Sequence, residues 1–179
     1  MGKIKSHIVI STDGYIAHKD DDLSWIPSEL MQPIFKEYES ADVLLAGFNT
    51  YNYYFEHYAR WLFNNKTYIV SNFDKAITTN EQIHLLHESP IEEIEKLKAD
   101  NDNILIVGGG KLITSLLNNK LIDEMDIYIV PVLLGKGIPL FGKTFDVKMN
   151  MVSCIKENCA ANFSFKNENG IAHLSYRIS

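Results

Sequence analysis

Apolar residues first gather at the start of the chain, where KIKSHIVIST alternates and then runs continuously hydrophobic through Ile8, Val9 and Ile10. That pattern predicts a strand entering a sheet covered on both faces. Asp13-Gly14 supplies a turn before the short apolar run Tyr15-Ile16-Ala17, and His18 to Ser24 is a polar loop carrying Asp20, Asp21 and Asp22 in a row. Leu30, Met31, Ile34, Phe35 and Tyr38 then recur at helical spacing, with Ser28 placed to cap. Pro33 interrupts this helix, so either the regular helix starts near it or residues 28 to 32 form a looser first turn. Asp42 to Ala46 reads as a strand, Tyr51 to Tyr58 as an aromatic helix, Thr67 to Val70 as a strand and Gln82 to Leu86 as a weaker one. Ser89-Pro90-Ile91-Glu92 has the form of a capping box with proline at the first helical position, opening a helix whose apolar face holds Ile91, Ile94 and Leu97.

The most informative stretch follows. Ile104 to Val107 is a buried strand, Gly108-Gly109-Gly110 a glycine turn, Leu112, Ile113, Leu116 and Leu117 one face of a helix, and Ile127 to Val130 a second buried strand. A glycine turn between a strand and a helix N-terminus leaves backbone N–H groups and a dipole that suit a phosphate, as in a nucleotide cofactor. The other reading is a tight left-handed turn alone. The dinucleotide fingerprint G-x-G-x-x-G is not met, because Ile113 stands where the third glycine belongs, and Asp123, Glu124 and Asp126 precede the next strand when a ribose-binding acid should end it. A phosphate turn on another α/β scaffold is expected. After Phe141 the pattern changes to strands without intervening helices, at 149–158, 161–167 and 171–178, with Asn169-Gly170 as a hairpin turn. Strands alternating with helices and then terminal antiparallel hairpins predict a single three-layer αβα domain around a mixed, mainly parallel sheet.

With 179 residues, 46% of them hydrophobic, the chain suits one domain with a sizeable core. It carries 17 basic against 23 acidic residues, net −6, with the basic ones scattered, which argues against nucleic acid as a partner. Lys3, Lys5, Ser6 and His7 interrupt the early apolar run, so neither a signal segment nor a membrane span is expected, and the expected location is the cytoplasm. Cys154 and Cys159 match neither a redox nor a zinc spacing and read as reduced core or strand residues. His84 and His87 read as surface residues, the three aspartates as a solvated turn, and no metal site is expected.

Taken in order, Ser11-Thr12-Asp13-Gly14-Tyr15-Ile16-Ala17, Trp25, Ala41-Asp42 through Gly47, Thr50-Tyr51, Tyr68-Ile69-Val70-Ser71, Val107-Gly108-Gly109-Gly110, Leu121-Ile122-Asp123-Glu124 and Pro131 through Phe141 span nearly the whole chain. On these segments the sequence resembles the dihydrofolate reductase-like superfamily, most closely the group built like the reductase domain of the bifunctional riboflavin-synthesis enzyme. The resemblance implies a nicotinamide-dependent reductase, usually using NADPH, with an eight- or nine-stranded mixed sheet and a homodimeric state. It implies that Ile16 and Ala17 lie against the nicotinamide, with the loop from His18 to Ser24 as a mobile lid. It also implies that Gly47, Phe48, Asn49 and Thr50 meet the cofactor phosphates at one helix start and Gly108, Gly109, Gly110, Lys111 and Leu112 the pyrophosphate at the other. Two helix N-termini aimed at one diphosphate agree with the glycine-turn reading, and Lys111 adds a point charge.

The chain departs from the family where a basic residue often follows the glycine and the serine matching Gly47 and Ser71. Here Phe48 and Asn72 stand there, which weakens the expected grip on an adenosine 2′-phosphate and leaves NADH possible, although Ser71, Asn49 and Asn72 can still hydrogen-bond a phosphate. Tyr15 replaces a lysine common in the riboflavin enzymes, and no H-x-E or P-C-x-x-C deaminase signature occurs, so the chain looks like a stand-alone relative. Reduction of a ring needs a group to hold its N–H edge, and Glu29 is the candidate, following Trp25 and Pro27 as the acid follows a tryptophan and proline in dihydrofolate reductases. Its other reading is a carboxylate favoured by the helix dipole. Asp13 has a catalytic reading beside the nicotinamide and another as a turn residue before glycine. Tyr15 and Trp25 either stack on a ring or fill the core, and Phe48, Tyr51, Tyr53, Tyr54 and Phe55 read as helix packing with some tyrosines left for a dimer. The expected function is NAD(P)H-dependent reduction of a small pyrimidine- or pterin-like heterocycle, resembling that of 5-amino-6-(5-phosphoribosylamino)uracil reductase. The alternatives are a dihydrofolate or pteridine reductase, and a non-catalytic nucleotide-binding dimer.

Overall fold

The protein is described from a computed structural model over residues 2–72, 74, 77–78, 80–101, 103–142, 147–157 and 171–178. The elements are β1 (Lys3–Ser11), β2 (Tyr15–Ala17), α1 (Ser28–Glu39), β3 (Val43–Gly47), α2 (Phe48–Tyr58), β4 (Lys66–Val70), β5 (Ile83–Leu86) and α3 (Pro90–Asp100). They continue with β6 (Asn103–Gly108), α4 (Gly110–Asn118), β7 (Glu124–Val130), β8 (Ile138–Pro139), β9 (Met149–Glu157) and β10 (Ile171–Ile178). An eight-stranded sheet has the order β5-β4-β3-β6-β1-β7-β10-β9, and β2 and β8 form a separate two-stranded ribbon. All neighbours from β5 to β7 are parallel, whereas β10 pairs antiparallel with both β7 and β9. The three-layer, mainly parallel arrangement with an antiparallel C-terminal edge is therefore the one its pattern predicts. The expected strand at 161–167, the Asn169-Gly170 turn and Cys159 lie outside the described residues.

Alternation along the central strands divides the core into two. Val9, Leu44, Ala46, Ile69, Leu105, Val107, Tyr128 and Val130 face α1 and α2, while Ile4, Val43, Leu45, Ile104, Ile106 and Ile127 face α3 and α4. Burial on both faces is why these strands read as unbroken apolar runs. Connections leave the sheet in opposite directions at its middle: α2 carries the chain outward from β3 to β4, and α4 carries it the other way from β6 to β7. β3 and β6 are neighbours, so a crevice opens between their carboxyl ends, the general ligand position of open α/β sheets.

Local expectations needed correction at the helix starts. α1 begins at Ser28 with Pro27, not Ser28, at the cap and no side-chain cap bond; Pro33 lies within the helix on its exposed side. The side-chain bond of the Ser89 box does not form, because Ser89 has ψ 62, away from the extended geometry that aims a capping hydroxyl. Pro90 does open α3. α2 starts directly after Gly47, ahead of the aromatic run that signalled it, so its N-terminus lies at the end of β3. His84 is not a surface residue: its ring stacks on Tyr68 at 5.1 Å and its Nε2 is buried. Cys154 is an exposed free thiol on strand β9, the reduced strand position expected of it. Among the described residues no helix is long and apolar enough to cross a membrane, and no group of three His, Cys, Asp or Glu side chains is placed to hold a metal.

Candidate active site

Two helix N-termini meet at the crevice between β3 and β6. Gly47 caps α2 and Gly109 caps α4, and the paired register sets Ala46 beside Gly108. The first-turn N–H groups of a helix lack intrahelical acceptors, so each start offers donors and the positive end of a dipole. The glycines let the two helix starts lie close together. A Cβ at Gly47 would stand 3.4 Å from the Gly109 nitrogen, and one at Gly109 would stand 3.1 Å from Thr50 Oγ1. Gly108 has φ +143, a conformation that side chains rarely adopt, and its peptide bond to Gly109 is cis. Gly47, Thr50, Gly108 and Gly109 are thus brought together as a cradle whose walls are backbone and one hydroxyl, the kind of surface that could hold a phosphate group. Gly110 serves otherwise: a Cβ there would come within 2.6 Å of the Leu140 carbonyl oxygen, so its missing side chain admits the segment after β8. Leu112 directs its side chain into the core, leaving only its backbone to the crevice, while Lys111 and Asn49 are exposed at the two helix starts.

Beside the crevice, the β2–β8 ribbon carries Ile16, which packs on the α3–α4 core, and Ala17, which is buried. Gly137 presses against the Ala17 carbonyl oxygen, and Leu140 N–H donates to the Gly14 carbonyl at 3.1 Å. The segment 134–140 therefore ties the ribbon to the start of α4. Asp13 anchors that segment: its carboxylate accepts from Ser11 Oγ (2.7 Å), Leu134 N (3.1 Å) and Gly135 N (2.7 Å). The Ser11 hydroxyl, against a small opposing desolvation and with help from the two backbone N–H groups, holds the Asp13 carboxyl below the usual carboxylate range. This engagement matches the turn reading of Asp13. The loop from His18 to Ser24 follows the ribbon, and its Asp22 accepts from Ser24 N and Oγ, a local turn as expected. A cavity of about 470 Å³ lies between this loop and Lys136, lined by His18, Lys19, Asp20 and Asp22.

At the start of α1, Glu29 Oε2 and Trp25 Nε1 are both shut off from solvent and neither has a hydrogen-bond partner among the described residues. A buried acceptor and a buried donor left open four residues apart are costly in a finished core and are ordinary where a ligand completes them. Trp25 packs partly on the α1–α2 core, as the core reading of its ring expects. Its indole N–H went unnoticed in the sequence because only burial reveals that it lacks a partner. Of the aromatic run in α2, Tyr51 and Tyr54 are buried, Phe48 and Phe55 pack on the core, and Tyr58 is exposed. Tyr51 Oη also accepts from Thr78 N at 3.0 Å.

At the end of β4, Ser71 is buried and its N–H donates to Leu86 O (3.0 Å), while Asn72 is exposed. The sequence-predicted residues thus fall into three groups along one edge of the sheet: the glycine cradle, the ribbon of Ile16 and Ala17, and the outer corner of Ser71 and Asn72. Glu29 lies in the first turn of α1, the helix that packs on the α1–α2 face of the sheet.

Known proteins are similar to this chain in sequence or in fold. Uncharacterized protein YwjB of Bacillus subtilis (strain 168) is 29% identical over 139 residues, covering 75% of this chain and 80% of its own. The crystal structure of a Shewanella sp. PV-4 protein named for riboflavin biosynthesis superposes with a TM-score of 0.81 at 25% identity over 99% of both chains. Dihydrofolate reductase from Enterococcus faecalis, complexed with NADP(H), superposes at 0.70 and 18% identity, covering 99% of this chain and 97% of that one, which shows the shared fold. The sequence model of the RibD C-terminal domain matches residues 3–160, a span that takes in the ribbon, the α1 carboxylate and both glycine-capped helices, and the chain belongs to that family.

Proposed function

We propose that the protein is a nicotinamide-dependent reductase, using NADPH with NADH possible, that reduces a small pyrimidine- or pterin-like heterocycle of the kind handled by the riboflavin-pathway uracil reductase. The observation that carries this reading is the convergence of α2 and α4 on the cradle of Gly47, Thr50, Gly108 and Gly109. The cradle fits a dinucleotide diphosphate, with Lys111 adding charge at its rim and Ile16 and Ala17 forming the apolar wall for the ring beyond it. A bound nicotinamide supplies a hydride. The chain's own residues do the rest: Glu29 Oε2 accepts from a ring N–H and fixes the orientation of the heterocycle, and Trp25 Nε1 donates to a ring carbonyl oxygen or to a water on the same edge. Closure of the loop 18–24 removes water, which strengthens both hydrogen bonds. Reduction at a ring C=N leaves a nitrogen that must gain a proton; the negative Glu29 carboxylate beside that edge raises the nitrogen's basicity, and the proton comes from solvent water before the loop 18–24 closes. A pteridine reductase would use the same two groups. Exposed Met151 and Val152 on the edge strand β9 support the homodimer that the family resemblance implies.

Thermal melting with cofactor tests the reading. Millimolar NADPH or NADH should raise the melting temperature by mass action, and Gly109→Val should abolish the rise, since even its Cβ meets Thr50 Oγ1 at 3.1 Å and the larger branches reach into the cradle. Absence of any rise in the wild type would remove the reductase proposal, and an unaltered rise in the variant would leave the glycines with a folding role only.

Selectivity gives a second check. With Phe48 packed in the core and Asn72 uncharged, the preference for NADPH over NADH should be weaker than an arginine clamp gives, and Asn72→Arg should strengthen it about tenfold. Competitive titration of the two cofactors measures it; an unchanged ratio would place the 2′-phosphate elsewhere.

A further inference from the structure

The segment between β7 and β8 runs on to touch both ends of the candidate site. At one end Gly137 lies flat against the ribbon, where an added Cβ would collide with the Ala17 carbonyl oxygen and stand 3.2 Å from the Tyr15 Cβ. At the other end the Leu140 and Pro139 carbonyl oxygens crowd Gly110 at the start of α4, where a Cβ would stand 2.6 and 2.9 Å from them. Packing holds the preceding turn poorly: Leu133 is 73% exposed, and a Cβ on Gly135 would meet no atom within 4 Å. A turn this exposed, with Gly135 at φ +71, keeps one position only if its backbone is bonded. Asp13 supplies the bonds from the turn just ahead of the ribbon, Oδ1 accepting from Leu134 N at 3.1 Å and Oδ2 from Gly135 N at 2.7 Å.

We propose that Asp13 is a positioning residue for the nicotinamide end of the cofactor: by its two bonds to Leu134 and Gly135 it seats the strap 134–140 against Ala17 and fixes the spacing between the ribbon and the start of α4. This rests on the nicotinamide-reductase reading above. A dinucleotide gripped at its diphosphate by the glycine cradle still pivots at its ring end, so a wall set beforehand strengthens the binding of the ring half in particular. Both carboxylate oxygens are needed for the seat. In Asp13→Asn the amide nitrogen faces either Leu134 N or Gly135 N, donor to donor, so one strap bond is lost in each orientation although the side chain keeps its shape. The local turn survives the same change, because Ser11 Oγ, which donates to Oδ1 at 2.7 Å, can turn its proton away and accept from the amide. The substitution therefore separates the strap from the turn.

The test compares full-length wild type, Asp13→Asn, Gly137→Ala and the double variant in their affinity for NADPH and for 2′-phospho-ADP-ribose, which lacks the nicotinamide, and in the time-resolved fluorescence anisotropy of the bound reduced ring. Asp13→Asn should weaken NADPH about three- to tenfold, add a fast component to the anisotropy decay as the ring gains local motion, and leave 2′-phospho-ADP-ribose within about twofold. Gly137→Ala, whose Cβ wedges the strap off Ala17 with Asp13 intact, should do the same. The double variant should lose less than the product of the two single losses, because both act through one contact. Equal loss for the two ligands, unchanged NADPH affinity and anisotropy in Asp13→Asn, or a double variant that loses the full product overturns the assignment of Asp13 while leaving the cofactor reading intact. A wild type that binds neither ligand overturns the cofactor reading and this assignment with it.

Discussion

Glu29→Gln is expected to lower turnover by about two to four decades while cofactor affinity and melting temperature stay close to wild type. Oε2 of Glu29 is buried and has no protein partner, so in the absence of a ligand the carboxylate has an unfilled acceptor facing away from water. Glutamine keeps the length and shape of the side chain and can still present an amide oxygen to the ring N–H, but it carries no charge to draw on the ring. The competing account is a first-turn acid favoured by the α1 dipole, which contributes only about 0.3 to 1 kcal/mol and acts through folding. The two accounts separate cleanly when kcat, cofactor affinity and melting temperature are measured on the same preparation. Turnover unchanged within a factor of three, or an activity loss that tracks loss of folded protein, would make Glu29 a helix-start residue.

Acid should destabilise the protein through His7 well before its carboxylates protonate. His7 lies on β1 beneath α1, almost fully buried, with Tyr38 Oη donating to its carbonyl oxygen at 3.2 Å and the Tyr38 ring edge-on to the imidazole. Among the described residues neither ring nitrogen has a hydrogen-bond partner, and Asp126 Oδ2 stands 3.6 Å from Nε2, beyond hydrogen-bond reach. Asp126 is already engaged by Lys5 Nζ at 2.6 Å, and His173 Nε2 lies 3.4 Å from its other oxygen. Burial above all, with the Lys5 and His173 charges adding to it and Asp126 opposing, lowers the His7 pKa from 6.5 to about 4. The native state therefore excludes a proton that the unfolded chain accepts, so stability is complete above pH 6.5 and falls as pH drops from there to about 4. The gap corresponds to about 3 kcal/mol. Asp126 acts lower: desolvation would raise its pKa, but the Lys5 and Ser175 hydrogen bonds and the Lys5 and His7 charges outweigh it, so its contribution is lost only below the ordinary carboxylate value. His7→Leu, which fills the same buried space without a titrating nitrogen, should flatten the melting temperature between pH 6.5 and 4.5. An identical slope in the variant would show that other groups carry the acid sensitivity.

What could be read along the chain follows the range of the interactions. The strand KIKSHIVIS, the glycine turn after Ile104–Val107 and the helical face of Leu112, Ile113, Leu116 and Leu117 are each set by neighbours a few residues apart, so their order and the αβα layering were legible without coordinates. The resemblance carried further, to the cradle residues Gly47, Thr50, Gly108 and Gly109, because they belong to short segments that keep their order. Asp13 was not decidable in the same way. Its partners Leu134 and Gly135 lie more than a hundred residues on, and nothing near Asp13 in the sequence says which backbone N–H groups it will meet.

Sequence alone determined the period of each element, the glycines where backbone must turn and the neutral residues at positions 48 and 72, since propensity, spacing and side-chain chemistry are local properties. Tertiary structure alone decided which strand ends become neighbours. The placement of β6 against β3 joins two glycine caps into one cradle, and β7 against β1, with β10 on the far side of β7, encloses His7 with Asp126 and His173. Burial follows from that order as well: Glu29 Oε2, Trp25 Nε1 and the His7 nitrogens are polar groups in any extended chain, and they become unsatisfied only when the packed layers take water away from them.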